Sequence, residues 1–495
     1  MSAIPVELGD VQGLVRFGYR HLTEACFLLL RVSDPAAARA WLAQAPVTSA
    51  VKTDRLPETA LHVAFTSEGL RALEIAPDLC AEFSAEFVAG MASDDSRARR
   101  LGDVGASNPG TWRWGAGERL PHVAVLLYAV PGRLAAWEQE VEAQLAGGFV
   151  RIERLSTSDM RGEEPFGFAD GISQPEVDWE RSRPALDQDQ LEYGNLTCLG
   201  EFLLGYPNEY GLYTPRPLLA PQRDPDGLLP RAEDAPDRAD VGRNGCYLVL
   251  RQLQQDAPAF WRELDRQANG DVNLRERLAA AMVGRTKDGE PLAAPSGESG
   301  VAASPRSKPN DFTYRDDPRG LRCPLGAHIR RTNPRNADLP PGGRGILSRL
   351  WRMLGFDAAA LEQDLVASTR FHRLLRRGRA FGAGTAPTRS ATQPSPGAET
   401  GIHFICLVAN IKRQFEFVQS AWLMGSRFAG LTESDPLLGH RLPDAGNCPT
   451  DGFSMPQADG PDRRLSGLPQ FVTVRGGAYF FLPGIRALRY LATAR

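Results

Sequence analysis

The stretch from Cys26 to Gln44, CFLLLRVSDPAAARAWLAQ, contains the pattern that decides the fold. Its first residues form an apolar run that is typical of a buried strand. Asp34 and Pro35 then supply a helix N-cap and a proline in the first helical turn, which predicts a helix from Ala36 to Gln44. The stretch therefore predicts a strand that is followed directly by a helix.

The same alternation continues along the first third of the chain. Leu61 to Phe65 and His122 to Val130 (HVAVLLYAV) have the composition of further strands. Apolar residues recur at helical spacing after them, at Leu134, Trp137, Val141 and Leu145. Strand, helix, strand, strand, helix, strand is the ferredoxin-like order, and it predicts a sheet with helices covering one face.

A second set of elements follows later in the chain. It comprises strand-like runs and one amphipathic helix, namely Cys246 to Leu253, Gly401 to Ala409, the helix bearing Ile411, Phe415, Val418 and Trp422, and Ala478 to Leu482. The proline- and charge-rich stretch from Tyr206 to Val241 predicts a long surface connection between the two sets. We therefore expect an α+β protein with two related halves.

Length and composition agree with this expectation and exclude several classes of protein. A chain of 495 residues exceeds the usual size of one core, so at least two packed units are expected. The 42% hydrophobic and 24% charged residues are ordinary for a globular protein. A net charge of -3 gives no general attraction to nucleic acid or to an anionic membrane, so neither is predicted as a partner.

The cysteines and the N-terminus bear on redox state and location. Seven scattered cysteines without a C-x-x-C pair make a disulfide framework or a thiolate zinc site improbable. Without C-x-x-C-H, any haem would be held without thioether links. The first residues show no signal peptide or twin-arginine segment, and no apolar run is long enough to span a bilayer, so we expect a cytoplasmic protein.

Three segments contain residues that could carry chemistry. In GFADGISQP, Gly167 to Pro175, glycines flank Asp170 in a stretch that otherwise looks buried, so a ligand could approach the backbone closely. The alternative is that Asp170 caps the turn through local hydrogen bonds.

The second segment is RCPLGAHIRRTNPR, Arg322 to Arg335, which has a lone histidine at His328. A neutral imidazole suits iron, and the nearby arginines suit carboxylates such as haem propionates. A histidine that is simply satisfied within the core is the alternative.

The third segment is FHRLLRRGRAFG, Phe371 to Gly382, which places His372 and Arg376 four residues apart. They would share one face if the segment were helical. Arg376 could then stabilise a bound oxygen species, and His372 is the rival metal ligand. A solvated basic helix end that stops at Gly378 is the alternative.

Together and in this order, the three segments resemble the dye-decolorizing peroxidase family. The resemblance rests on the G-x-x-D-G of Gly167 to Gly171, followed by AHIRRTNPR at Ala327 to Arg335. Further similar stretches extend it over nearly the whole chain, at Val11 to Leu22, Gly200 to Gly211, Gly242 to Asp256, Phe404 to Trp422 and Val472 to Gly484. The length and the long loops resemble the larger, elaborated members.

The resemblance implies two ferredoxin-like domains, at residues 1–205 and 206–495. The first would carry the G-x-x-D-G segment and the second would hold non-covalent haem b. His328 is implied as the proximal iron ligand, Asp170 as the distal acid/base and Arg376 as the distal arginine. Arg335 is implied as a contact to a haem propionate. The expanded stretch before Arg376 leaves open whether Arg376 or Arg377 faces the iron.

The implied activity is reduction of hydrogen peroxide and oxidation of dyes, phenolics or other bulky organic reductants through a high-valent iron-oxo intermediate. An aspartate base predicts an acidic optimum. A haem-binding or haem-transfer protein with weak peroxidase activity is the alternative, and a cofactor-free interaction module is a third reading. A homo-oligomer is compatible with all of them.

Two further roles are proposed at the level of single residues. A metal-bound histidine usually donates its other N–H to a carboxylate or carbonyl, and Glu416 is the candidate here, with an ordinary surface glutamate as the alternative. Bulky dyes are too large for a pocket sized for peroxide, so electrons would leave through surface aromatic residues. Trp351, Trp422 and Tyr479 are the candidate relays, with core packing as their alternative role.

Overall fold

The computed structural model describes residues 5–182, 194–293, 310, 312–335, 369–382, 399–444 and 446–493. One antiparallel nine-stranded sheet runs through it. Its strands are β1 Glu24–Val32, β2 Thr59–Phe65, β3 Val123–Ala129, β4 Phe149–Ser156, β5 Cys246–Gln255, β6 Leu375–Arg376, β7 Arg379–Phe381, β8 Gly401–Val408 and β9 Val472–Leu482. Their spatial order is β6-β8-β5-β9-β2-β3-β1-β4, and β7 also pairs with β8.

Each half of this sheet has the ferredoxin-like arrangement that the sequence predicts. The first half is ordered β2-β3-β1-β4, and the second half repeats that order with β6 and β7 in place of β2, β8 of β3, β5 of β1 and β9 of β4. The halves join where Phe481 of β9 pairs with Phe65 of β2. The predicted α+β class with two ferredoxin-like units is therefore confirmed, whereas the boundary at residues 205 and 206 stays a prediction.

Helices connect the strands in both halves. They are α1 Gly13–Arg16, α2 Pro35–Gln44, α3 Ser67–Ala72, α4 Pro77–Ala81, α5 Ala85–Ala89, α6 Asp95–Leu101, α7 Leu134–Leu145, α8 Ala257–Gln267, α9 Val272–Val283, α10 His328–Thr332 and α11 Ile485–Thr493. Two π-helical segments, Lys412–Glu416 and Val418–Met424, precede β9. In the part of the chain that the structure describes, no helix is both long and apolar enough to cross a membrane.

Local chemistry explains the stretch that decides the fold. The Asp34 side chain accepts hydrogen bonds from the backbone N–H groups of Ala36 and Ala37 at 2.8 and 3.0 Å, so the predicted N-cap of α2 is confirmed. Leu28 and Phe27, neighbours in β1, enter different apolar clusters on the two faces of the sheet. Strand β1 is apolar from Ala25 to Leu30 because both of its faces are buried there.

Different kinds of structure cover the two faces of the first half. Helices α2 and α7 cover one face, as predicted. The other face is covered by chain around Leu14, Val15 and Tyr19 and by residues around Phe202 and Tyr206, which have little regular structure. An irregular covering can be buried only if its backbone polar groups find partners, and this requirement shapes the next segment.

The stretch from Tyr206 to Val241 is buried in part, so the prediction of a surface connection is wrong for its buried residues. Leu219 and Asp240 within it are 1% and 0% exposed. The Arg216 guanidinium, 2% exposed, lies 2.6 Å from the Asp240 carboxylate. The sequence prediction failed because such buried ion pairs, with a short antiparallel pairing of Leu218–Leu219 with Ala239–Asp240, let parts of a proline-rich segment enter the interior.

Candidate active site

An internal cavity of about 300 Å³ lies in the second half of the molecule. This volume is within the range of small-molecule sites. Its wall includes all four predicted site residues, Asp170, His328, Arg335 and Arg376, together with the rival ligand His372. The fold therefore brings together side chains that lie up to 206 positions apart in the sequence.

His328 is the first residue of α10, and a buried carboxylate fixes its imidazole. The ring Nδ1 lies 3.0 Å from Oδ2 of Asp435, and the Asp435 side chain is fully buried. The other oxygen of Asp435 accepts from the backbone N–H groups of Leu437 and Leu438 at 2.9 and 2.8 Å. This network favours the tautomer in which Nδ1–H donates to Asp435 and Nε2 keeps its lone pair for a ligand.

Electrostatics support an ionised Asp435 in this pair. Burial by itself would raise the pKa of Asp435, but His328, Arg331 and the backbone N–H of Leu438 hold that pKa below its ordinary value. Nε2 of His328 has no hydrogen-bond partner among the described residues, and the side chain is 24% exposed at the cavity wall. His328 therefore presents an oriented nitrogen lone pair to the cavity.

The prediction of Glu416 as the carboxylate partner is wrong. Glu416 instead pairs with Arg97 at 3.1 Å and accepts a hydrogen bond from the Tyr479 hydroxyl at 2.9 Å. The true partner lies 107 residues after His328. The only local signal at Asp435 is the Asp-Pro step, which predicts a turn but not the histidine that the turn faces.

Asp170 lies at the open end of a hairpin that begins at Gly162. Its backbone N–H donates to the Gly162 carbonyl at 2.8 Å. Gly167 and Gly171 have φ values of 90° and 73°, so glycine is required at both positions. The Asp170 side chain is exposed at the cavity wall rather than buried as predicted, and no described residue forms a hydrogen bond with it. The alternative role, capping the turn, is therefore not seen.

Arg376 lies in strand β6, so the segment is not helical, and neither the shared helical face of His372 and Arg376 nor the helix end at Gly378 is formed. The segment forms a 3-10 turn, Thr369–His372, followed by β6 and β7. The Arg376 guanidinium donates to the Ser173 carbonyl at 2.7 Å, and its backbone N–H donates to the Gln174 side chain at 3.0 Å. These bonds join Arg376 to the segment that carries Asp170.

Extended backbone also separates Arg376 from Arg377. The Arg377 guanidinium donates to the carbonyls of Leu14 and Val15, each at 2.8 Å. Arg376 lines the cavity, whereas Arg377 is turned toward the N-terminal segment. Successive side chains of extended chain point to opposite sides, and this alternation places Arg376 at the site.

His372 lines the same cavity in a different environment. Its ring stacks on Phe417 with centroids 3.9 Å apart, and its Nδ1 is bonded to the Arg413 carbonyl. Burial lowers the pKa of His372 to about 4, so the ring is neutral. Its Nε2 is enclosed and has no partner in the described part of the structure. His372 has no carboxylate partner comparable to Asp435.

Arginines make one region of the cavity wall positive. Arg335 is 3% exposed, and its guanidinium donates to the carbonyls of Asn310 and Phe312 at 2.9 and 2.8 Å. Arg285, which sequence reasoning missed, also lines the cavity. Burial, with the nearby charges of Arg335 and Arg376, lowers the pKa of Arg285 to about 10. Several cationic side chains around one cavity favour an anionic group on its occupant.

These donors fit haem better than a bare metal ion. Among the described residues, no group of three histidine, cysteine or acidic side chains could hold a metal ion. A metal bound by one imidazole must bring its own further ligands, as haem iron does. Apolar lining from Phe404, Phe415 and Val418 suits a porphyrin face, and the arginines suit its propionates. With an acid and an arginine at the same cavity, the site is that of a haem peroxidase.

Comparison with known proteins agrees with this class. A dye-decolorizing peroxidase of Mycetinis scorodonius is 28% identical over an alignment of 519 positions, which covers 99% of this chain and 88% of that protein. The multifunctional dye peroxidase DyP2 of an Amycolatopsis species is 32% identical over 265 residues, about half of each chain. The crystal structure of a fungal DyP-type peroxidase from Auricularia auricula-judae superposes with a TM-score of 0.71 and 25% identity, covering 99% of this chain and all of that one.

No protein-family model matches the chain. The relatives and solved structures nevertheless agree over its whole length. The chain resembles the dye-decolorizing peroxidases over nearly its whole length, and it is a peroxidase.

Proposed function

We propose that the protein holds haem b without covalent links in this cavity, reduces hydrogen peroxide, and oxidises dyes, phenolics or similar bulky reductants. One observation carries the proposal. A single cavity wall presents His328, fixed by Asp435, and also presents Asp170 next to the strand that carries Arg376. A protein that only stores haem needs the ligand but has no need of the acid and the arginine.

The residues that hold the cofactor follow from the donors. Nε2 of His328 is the ligand atom, because Nδ1–H is committed to Asp435. The positive region around Arg285 and Arg335 is suited to the propionates. When bound, haem supplies the redox chemistry that cleaves the peroxide O–O bond and accepts electrons from the reductant.

Asp170 and Arg376 manage protons and charge. The Asp170 carboxylate accepts one proton from hydrogen peroxide and returns it to the oxygen that leaves as water. The Arg376 guanidinium, aimed by its bond to the Ser173 carbonyl, stabilises the negative charge that develops on oxygen. A carboxylate is ionised at lower pH than an imidazole, so we predict an acidic optimum.

The reducing substrates exceed the space beside a bound cofactor, so we propose that they react at the protein surface. Of the three candidate relays, Trp351 lies outside the described residues. Trp422 and Tyr479 are 5% and 2% exposed, which supports core packing as their role. Tyr479 in addition donates its hydroxyl hydrogen to Glu416.

The test is the visible spectrum of haem-reconstituted protein, before and after hydrogen peroxide. The proposal requires a Soret band in the wild type that His328→Ala abolishes and that His372→Ala retains, as does the control His21→Ala, whose half-buried ring lies outside the cavity wall. Peroxide must change the wild-type spectrum, and Asp170→Asn must slow that change.

Each failure has its own meaning. Equal haem uptake by His328→Ala would assign the ligand to another residue, and loss of uptake in His372→Ala alone would name it. Tight uptake without any reaction with peroxide would identify a haem-binding or haem-transfer protein.

A further inference from the structure

A second carboxylate, Glu164, lies in the cavity wall six residues before Asp170. The hairpin that ends at Asp170 is folded around it. The Glu164 backbone N–H donates to the Phe168 carbonyl at 2.9 Å, and the Gly167 N–H donates to the Glu164 carbonyl at 2.7 Å. Glu163 and Ala169 form an antiparallel bridge between these bonds and Asp170.

The Glu164 side chain ties this hairpin to the central sheet. Its carboxylate accepts from the backbone N–H groups of Phe166 and Phe168, each at 3.0 Å. It also accepts from the Gln255 side chain of β5 at 2.8 Å. No other side chain of the hairpin bonds both to the hairpin tip and to the sheet among the described contacts.

The neighbouring residue provides a contrast. Glu163 has the same side chain, but it is exposed and absent from the cavity wall. The structure therefore uses one glutamate of the pair internally and leaves the other in solvent.

We propose that Glu164 is a positioning residue for Asp170: its carboxylate clamps the hairpin, and its protonation state sets the upper pH limit of the peroxide reaction. The proposal rests on the proposed function for the role of Asp170. The hydrogen bonds of the clamp itself do not depend on a bound cofactor.

The electrostatics of the clamp give the direction of the pH effect. Burial and, to a smaller extent, the Asp170 charge raise the pKa of Glu164 to about 7, against the bonds from Phe166, Phe168 and Gln255. Gln255, which faces it from β5, is uncharged, and Arg285 and Arg376 lie in the same cavity wall. Glu164 is thus neutral below about pH 7 and becomes ionised above it.

Ionised Glu164 adds a second negative charge beside Asp170. Two carboxylates at one site disfavour further negative charge, so formation of the peroxide anion becomes harder as pH rises through that value. Removing the Glu164 charge should therefore change how the peroxide rate depends on pH on the alkaline side. It should leave the pH at which the rate changes on the acid side unaltered.

The experiment compares Glu164→Gln with its exposed neighbour Glu163→Gln. In the wild type and in Glu163→Gln, the second-order rate with peroxide should fall through about pH 7, whereas in Glu164→Gln it should stay flat across that range. At acidic pH the Glu164→Gln rate should be about tenfold below wild type, because one clamp N–H loses its acceptor. Fluoride affinity of the ferric protein should show the same loss of the alkaline step.

A measurement on the protein without cofactor separates the clamp from the catalytic proposal. Infrared pH titration should show one carboxyl fewer titrating near pH 7 in Glu164→Gln than in the wild type and Glu163→Gln, with the Glu201 carboxyl present in all three. An unchanged alkaline limb in a folded Glu164→Gln protein, or no difference between the two variants in the infrared titration, would overturn the inference. If the infrared difference is present but no variant reacts with peroxide, the proposed function fails while the clamp remains.

Discussion

Around His328 the cavity wall is built from a buried carboxylate whose oxygens are all hydrogen-bonded, whereas around Asp170 the carboxylate is exposed. Asp435, which orients His328, is fully buried and uses both oxygens, one on the imidazole and one on two backbone N–H groups. Asp170 is exposed at the cavity, and its side chain has no hydrogen-bond partner within the described structure. We refer below to the histidine wall, His328 with Arg331 and Asp435, and to the carboxylate wall, Asp170 with Ser173 and Arg376.

The difference follows from what each wall must do. A metal ligand must keep one orientation and one tautomer, which a buried, fully bonded carboxylate enforces. An acid/base must exchange a proton with a small substrate, and a side chain whose oxygens were already bonded could not do so. In the carboxylate wall, Asp170 is therefore positioned through its backbone. The hairpin that starts at Gly162 holds that backbone, and the bond from Arg376 to the Ser173 carbonyl holds the residues that follow.

The largest effect is expected from Asp170→Asn. Loss of the proton acceptor should lower the rate of the peroxide reaction about 100- to 1000-fold, within the range known for general acid–base groups. Haem uptake should be unchanged, because the histidine wall is intact. Stopped-flow spectroscopy of the reconstituted protein measures both. Asp159→Asn, a change at an exposed aspartate, is the control, and an equal loss in that variant would refute a specific role for Asp170.

The next effect distinguishes two adjacent arginines. Arg376→Leu should lower the peroxide rate about 100-fold, since it removes one charged donor from the site. Arg377→Leu should leave the rate within about twofold but should lower the free energy of unfolding by ~1–3 kcal/mol, because the Leu14 and Val15 carbonyls lose their donor. Rates and denaturant unfolding measured on both variants test this. The reverse pattern would place Arg377 at the site.

The histidine wall should respond differently from the carboxylate wall. Asp435→Asn should weaken haem affinity about tenfold and shift the Soret spectrum, because the imidazole loses its charged partner. Glu416→Gln is the matched control: it should destabilise the protein through Arg97 and Tyr479 but leave the haem spectrum unchanged. Haem titration followed by absorbance decides between them, and a spectral shift in Glu416→Gln alone would contradict the assignment.

The smallest effect concerns a buried carboxylate outside both walls. Burial raises the pKa of Glu201 to about 7, although Arg413 opposes that shift. The folded protein then holds this proton more tightly than the unfolded chain, so the free energy of unfolding falls as pH rises from about 4.5 to about 7 and is level above that. Glu201→Gln should have a shallower slope than the wild type, to which Glu164 also contributes, and should keep its peroxide rate. Urea unfolding at both ends of the range, compared with wild type, tests it.

The fold could be predicted from sequence because its signals are local. The apolar run at Cys26 and the Asp34 cap each act within a few residues, and the structure confirms both. The Tyr206 to Val241 segment could not be predicted, because pairs such as Arg216 with Asp240 form only after the chain has folded.

The site divides in the same way. Residue type alone singled out Asp170 and His328, and the resemblance supplied their roles. The choice between Arg376 and Arg377 depended on strand alternation, which the expected helix obscured. Asp435 and Glu164 were missed because nothing local separates them from other acidic residues: one is defined by a histidine 107 positions away, the other by a hydrogen bond to Gln255.

The most direct test is a crystal structure of the haem-reconstituted protein, with the iron located by its anomalous scattering. The account predicts iron bound to Nε2 of His328, with the Asp170 carboxylate and the Arg376 guanidinium on the opposite face of the haem and Arg377 turned away. Iron bound to His372, or haem held so that Asp170 and His328 lie on the same face, would contradict it.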